Sequence, residues 1–194
     1  MSAPVLLHLM RHGAPVLTGT MLGRTDSPAT LAGIATCVQQ ALALDVARIV
    51  SSDLSRARAC AAAIGEARGI VAECDPRWRE LDFGAWDGLA TTAVAPAELQ
   101  AFWDDPDACP PPGGERWSDL MRRVSAAVDA LTPVPTLVVT HGGAMRAALG
   151  VLCGFSLRQL WAFDLPYAVV VTLRIWPGPE RTAQIIAVRP AGGA

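Results

Sequence analysis

Apolar and polar positions divide the chain into short dense runs and longer periodic stretches. Val5 to Met10 is a short apolar run that stops at Arg11-His12-Gly13, which predicts a buried strand ending in a turn. From about Pro28 onward, Leu31, Ile34, Ala35, Val38 and Leu42 recur at helical spacing opposite Gln39 and Gln40, predicting an amphipathic helix. Ala47 to Ser51 is a second strand-like run, and Ser52 and Asp53 behind it suit the N-cap of an Ala-rich helix through Arg68. Trp117, Leu120, Met121, Val124, Val128 and Leu131 mark another helix. It leads through Pro133 and Pro135 into the run Thr136 to Thr140, which stops at His141-Gly142-Gly143. A helical segment from Ala144 to Leu152 follows, then strands over Tyr167 to Trp176 and Ala183 to Val188.

Strands that alternate with helices need crossover connections, so the pattern predicts an α/β fold, a three-layer α/β/α sandwich with a mostly parallel central sheet. One domain is expected over residues 1–194, since this length builds one substantial core. Ligands of such sheets bind beyond the carboxyl ends of the strands, where Arg11-His12-Gly13 and His141-Gly142-Gly143 both fall. The stretch from Asp104 to Gly114, with Pro110, Pro111 and Pro112 in a row, reads as irregular. An irregular loop or lid over about 85–114 is the natural place for substrate specificity.

Composition narrows the chemistry. A formal charge of -2 with 18% charged residues suggests neither nucleic acid nor an anionic membrane surface as partner. All 16 basic residues are Arg, and Lys and Asn are absent. A P-loop lysine, a Schiff-base lysine and the ion-pairing lysine of protein kinases are therefore excluded, whereas the planar Arg fork suits phosphate. The five cysteines, Cys37, Cys60, Cys74, Cys109 and Cys153, are scattered and form no C-x-x-C pair, as expected of reduced thiols. No basic region precedes the first apolar run, and the apolar run around Tyr167 to Leu173 is far shorter than the roughly 20 residues a bilayer requires. A soluble, cytoplasmic protein is expected. Neither G-x-G-x-x-G nor G-x-S-x-G occurs, which removes the sequence basis for a dinucleotide-binding oxidoreductase or a serine hydrolase.

His12 stands behind a buried strand, flanked by Arg11 and by a glycine that lets a ligand approach the backbone, a combination that suits an anion site. An adjacent guanidinium favours the neutral imidazole, the form that attacks phosphorus. Structural roles compete with chemical ones elsewhere: Glu80 as a carboxylate paired with Arg77 or Arg79, His141 as a turn residue, Arg56 as a helix-surface charge. His8 and His12, four apart, would face together as metal ligands on a helix, but this segment reads as a strand and places His8 in the core. Trp78, Trp86 and Trp103 are candidates either for the core or for a pocket wall.

Leu6-Leu7-His8-Leu9-Met10-Arg11-His12-Gly13 and Gly23-Arg24-Thr25-Asp26-Ser27-Pro28 together resemble the opening of the histidine phosphatases, the phosphoglycerate mutase-like superfamily. The resemblance continues in order through Ser51-Ser52-Asp53-Leu54-Ser55-Arg56-Ala57, Arg79 to Gly88, Pro112-Gly113-Gly114-Glu115 and Val138 to Gly143. The Gly-Arg-Thr-Asp stretch is similar to that of small alpha-ribazole phosphatase-like members. The resemblance implies that His12 takes the phosphoryl group, that Arg11, Arg56, His141 and Gly142 bind the phosphate, and that Glu80 donates a proton to the leaving alkoxide. Arg58 stands as a rival to Arg56, and Asp82 as a rival to Glu80. It further implies a phosphomonoester hydrolase that uses no metal or cofactor and acts on a small phosphorylated metabolite, alpha-ribazole phosphate among the candidates. A phosphoglycerate mutase and a non-catalytic phospho-ligand module are the alternatives, and the oligomeric state is left open. Three departures bear on substrate preference. The mutases' Asn after the first motif is missing, with Thr18 nearby; Cys60 stands in place of a threonine and Arg116 in place of a serine.

Overall fold

The computed structural model describes residues 3–176, 178 and 182–192. Six strands, Val5–Arg11 (β1), Arg48–Ser51 (β2), Ala72–Cys74 (β3), Thr136–Thr140 (β4), Val170–Trp176 (β5) and Thr182–Arg189 (β6), form one sheet in the order β3-β2-β4-β1-β5-β6. The first four of these pair in parallel, whereas β5 runs antiparallel to β1 and β6 antiparallel to β5. The sheet is therefore mixed. Among the described residues no helix separates β5 from β6, and these consecutive strands pair antiparallel, while the parallel strands are joined through helical crossovers.

Side-chain alternation divides the core in two. Leu7 and Leu9 of β1, Val50, Val138 and Val171 face one side, and Met10, Ile49, Leu137, Val139 and Val170 face the other. Helices Leu31–Leu42 (α1) and Ser55–Arg68 (α2) cover the second side. The first is covered by Trp117–Asp129 (α4), Gly142–Cys153 (α5) and the short Leu157–Trp161 (α6). In α4, Leu120, Val124, Ala127 and Val128 form the buried stripe that the periodicity predicts. Leu120 and Val124 expose no surface, and each such burial contributes roughly 1.5–3 kcal/mol.

Four local expectations are corrected. In α1 the buried stripe is Gly33, Cys37 and Ala41, while Leu31 is 86% exposed; α1 and α2 pack through small residues, so the bulky apolar positions are not the ones that face inward. The N-cap of α2 is Leu54 rather than Ser52 or Asp53, and Asp26 from a distant loop accepts from both the amide and the hydroxyl of Ser55 at 2.7 and 2.8 Å. The segment 85–114 is not irregular throughout, since it carries Pro96–Asp104 (α3), started by a proline in its first turn and anchored by buried Phe102. That helix is too short for its periodicity to stand out. Tyr167 lies in a turn ahead of β5, where Ala168 adopts a left-handed φ of 59°. Among the described residues, no helix is long and apolar enough to cross a membrane.

Candidate active site

The register of the sheet brings the two histidines together. Arg11 of β1 pairs with Thr140 of β4, so the residues that follow, His12 and His141, leave adjacent parallel strands side by side. Their ring centroids are 5.0 Å apart. The amide of His12 donates to the carbonyl of Thr140 at 2.8 Å, and Ala168 donates to the carbonyl of His12 at 3.2 Å, so backbone on both sides fixes the loop. Gly13 is required by packing rather than by a ligand. A Cβ there would stand 2.2 Å from the carbonyl oxygen of Gly33 in α1. The Gly13 amide donates to Cys60 Sγ at 3.4 Å, so the thiol that replaces a threonine supports the loop directly.

Hydrogen bonds fix the tautomer of each ring. Nδ1 of His12 lies 2.7 Å from the carbonyl oxygen of Gly13, which can only accept; Nδ1 therefore carries the proton and Nε2 the lone pair. Burial is the main force that pushes the His12 pKa down to about 3. The bond to Gly13 opposes it, and the charges of Arg56 and Arg11 add to it. At neutral pH the ring is uncharged and Nε2 is free to attack. His141 has the opposite tautomer, because Arg56 Nε donates to its Nδ1 at 3.3 Å and leaves the proton on Nε2. Burial, with His12, Arg56 and Arg11 nearby, holds the His141 pKa well below that of an ordinary histidine. Its Nε2 is buried without a partner, as is Nε of Arg11. Two unsatisfied donors beside a free imidazole nitrogen suit an anion's oxygens.

Arg56 is fully buried in α2, not on its surface. Besides holding His141, it donates to the carbonyls of Thr25, Leu22 and Gly23 at 2.8–2.9 Å, which leaves one of its five N–H groups free. The same loop offers the amides of Gly23, Arg24 and Thr25 to the carboxylate of Asp87. Backbone between an anion and a cation thus fixes the guanidinium. Arg58 is exposed on α2 and does not enter the site.

Glu80 pairs with neither Arg77 nor Arg79, whose partners are Asp75 and Asp53. Its carboxylate accepts from the amides of Leu81 at 2.9 Å and Gly143 at 3.1 Å, so it sits at the start of α5. A Cβ at Gly143 would stand 2.2 Å from Glu80 Oε1. Arg123 of α4 fixes the chain here by donating to the carbonyls of Arg77, Arg79 and Glu80 while pairing with Glu115 at 2.6 Å. Asp82 points elsewhere, to the Gly84 amide and Arg24.

Arg11, His12, Glu80 and Gly142 line one cavity of about 230 Å³, with Arg56 and His141 buried beside it. Trp103 joins them there, whereas Trp78 and Trp86 belong to the core. His8 is occupied away from the site, its ring nitrogens bonded to Thr172 and to the carbonyl of Asp45. Sequence reasoning missed Thr20, Trp117, Arg146, Trp161 and Tyr167 as pocket residues. Arg146 had a readable signal, because it follows Gly142 by four residues and so shares its side of α5. Tyr167 is carried by the strained turn at Ala168 and stacks under Arg11, 4.2 Å from ring centroid to guanidinium carbon.

The family model described as "Histidine phosphatase superfamily (branch 1)" matches residues 7–186. A curated relative from Yersinia pestis (strain Pestoides F), "Probable phosphoglycerate mutase GpmB", is 32% identical over 160 residues, covering 76% of this chain and 74% of its own. Among solved structures, a mycobacterial glucosyl-3-phosphoglycerate phosphatase is similar at a TM-score of 0.84 and 27% identity, with 95% of this chain and 98% of that one covered. Bacillus stearothermophilus YhfR is similar at 0.82 and 27%, with 94% and 96% covered.

Proposed function

Since the chain belongs to the histidine phosphatase superfamily, branch 1, we propose that it is a phosphomonoester hydrolase that works through a phosphohistidine at His12, without a metal, on a small phosphorylated metabolite. The observation that carries this reading is the His12 tautomer: Nδ1–H is held by Gly13, and the lone pair on Nε2 belongs to a ring that lines the cavity. Nε2 attacks phosphorus in line, and the ester P–O bond breaks as Glu80 gives its proton to the departing alkoxide. Arg11 Nε and His141 Nε2 donate to the equatorial oxygens, and Arg56 adds its charge from beneath. Water then gives a proton to the Glu80 carboxylate and attacks phosphorus, and the N–P bond electrons return to Nε2.

The test is rapid-quench labelling with a radioactive phosphomonoester, together with turnover of p-nitrophenyl phosphate after chelation. An acid-labile, base-stable phosphoprotein in wild type that is absent in His12→Gln supports the reading. No turnover of p-nitrophenyl phosphate, alpha-ribazole phosphate or 3-phosphoglycerate would overturn it in favour of a phospho-ligand binding module.

The GpmB relatives favour a second reading, phosphoglycerate mutase-type transfer. A mutase must hold the phosphohistidine long enough to return the group, so 3-phosphoglycerate would isomerise faster than it releases phosphate. The reverse ratio favours the hydrolase.

A further inference from the structure

The cavity has a second half that the chemistry at His12 does not use. Trp103 of α3, Trp117 of α4 and Trp161 of α6 meet there, with Trp103 edge-on to Trp161 at 5.1 Å and Trp117 tilted to it at 5.8 Å. Arg146 braces this corner: each of its guanidinium nitrogens donates to a carbonyl, those of Leu160, Gly142 and Phe163, and its guanidinium carbon lies 5.0 Å from the Trp161 ring centroid. Trp161 Nε1 and Thr20 Oγ1 are buried with no hydrogen-bond partner. Both residues line the cavity that holds His12. An indole N–H only donates, so it is satisfied by a ligand that brings an acceptor.

We infer that Trp161 Nε1 and Thr20 Oγ1 select the alcohol half of the substrate, and that this half is an uncharged ring bearing hydroxyl or ring-oxygen acceptors, as in a sugar phosphate. Indole faces pack against the C–H faces of such a ring, while the two orphaned atoms, both neutral, meet its oxygens. Three of the five N–H groups of Arg146 already hold carbonyls, and neither orphaned atom carries a charge that would draw a carboxylate. The inference rests on the hydrolase reading above.

Glucose 6-phosphate and cyclohexylmethyl phosphate test it, being primary phosphoesters on six-membered rings that differ in their polar atoms. Wild type should favour the sugar ester in kcat/KM by about tenfold or more, because a site built to hydrogen-bond its substrate rejects the bare analogue. Trp161→Phe keeps a ring and Thr20→Val keeps the shape; each should reduce that preference about fivefold, mainly through KM for the sugar ester. A preference near one in wild type overturns the inference, and an unchanged preference in either variant removes that residue from it. Phenyl phosphate separates the two readings. If wild type does not hydrolyse it, or any of the esters, both fall; if it does and the preference is absent, only this inference falls.

Discussion

The two ends of the cavity are built by opposite means. At the inner end, Arg11, His12 and His141 sit on or just beyond strand ends, and Arg56 is held by the carbonyls of one loop, so backbone fixes each group of the proposed chemistry. At the outer end, Trp103, Trp117 and Trp161 come from three separate helices and are held by ring contacts and Arg146. Backbone placement gives the precision that in-line displacement needs, and side-chain placement gives a wall that can vary without disturbing it.

The largest break should come at the inner end. His12→Ala removes the proposed nucleophile while leaving the strand pairing intact, so turnover of p-nitrophenyl phosphate should fall about ten-thousandfold with the thermal unfolding transition retained. Residual turnover within tenfold of wild type would place the nucleophile elsewhere. Acid should weaken the same end. The folded pKa of His12, about 3, lies below the ordinary value of 6.5, so at intermediate pH the unfolded chain binds a proton that the folded one does not. Stability contributed by the neutral ring is therefore complete above pH ~6.5 and is lost as pH falls toward ~3, by roughly 3–5 kcal/mol. Urea unfolding at pH 7 and pH 4 should show a larger loss in wild type than in His12→Gln; equal losses would mean that the ring is not buried neutral.

Gly143→Ala probes the junction between the ends. Its Cβ would stand 2.2 Å from Glu80 Oε1 and displace the carboxylate. The kcat for an alkyl phosphate should drop about a hundredfold, and that for p-nitrophenyl phosphate much less, because nitrophenolate leaves without a proton. Equal losses on both esters would remove Glu80 from the proton-donor role.

The inner end was legible and the outer end largely was not, for physical reasons. Short apolar runs that stop at Arg11-His12 and at His141 announce strand ends, and parallel pairing does the rest. Arg56 needed the family motif, because one arginine in an Ala-rich helix carries no sign that loop carbonyls 31 to 34 residues away along the chain will bury it. Trp117 and Trp161 sit at helix termini, where helical periodicity does not say whether a ring faces core or cavity. Tyr167 read as strand because Ala168 gives no sequence signal for a left-handed turn; glycine would have. The stripe of α1 misled because Gly33, Cys37 and Ala41 score weakly as apolar yet allow the close approach to Gly13.

The smallest effect should separate support from chemistry. Asp26 lies beyond the loop whose carbonyls hold Arg56, and its carboxylate accepts from the amide and hydroxyl of Ser55, the residue before Arg56. The loop and the first turn of α2 are thus fastened at both ends, by Arg56 inside and by Asp26 at the surface. Asp26→Ala removes the outer fastening and leaves an unpaired helix amide in contact with solvent, which should cost about 1 kcal/mol of stability. Because the remaining bonds still hold Arg56, kcat should change by less than about threefold, a ceiling set by the few tenths of a kcal/mol that slackness at a surface cap transmits. Asp26→Ser, which restores an acceptor, should recover most of the stability. If kcat instead collapses while stability is unchanged, Asp26 belongs to the reacting groups, and the division between a backbone-held inner end and its supports is drawn in the wrong place.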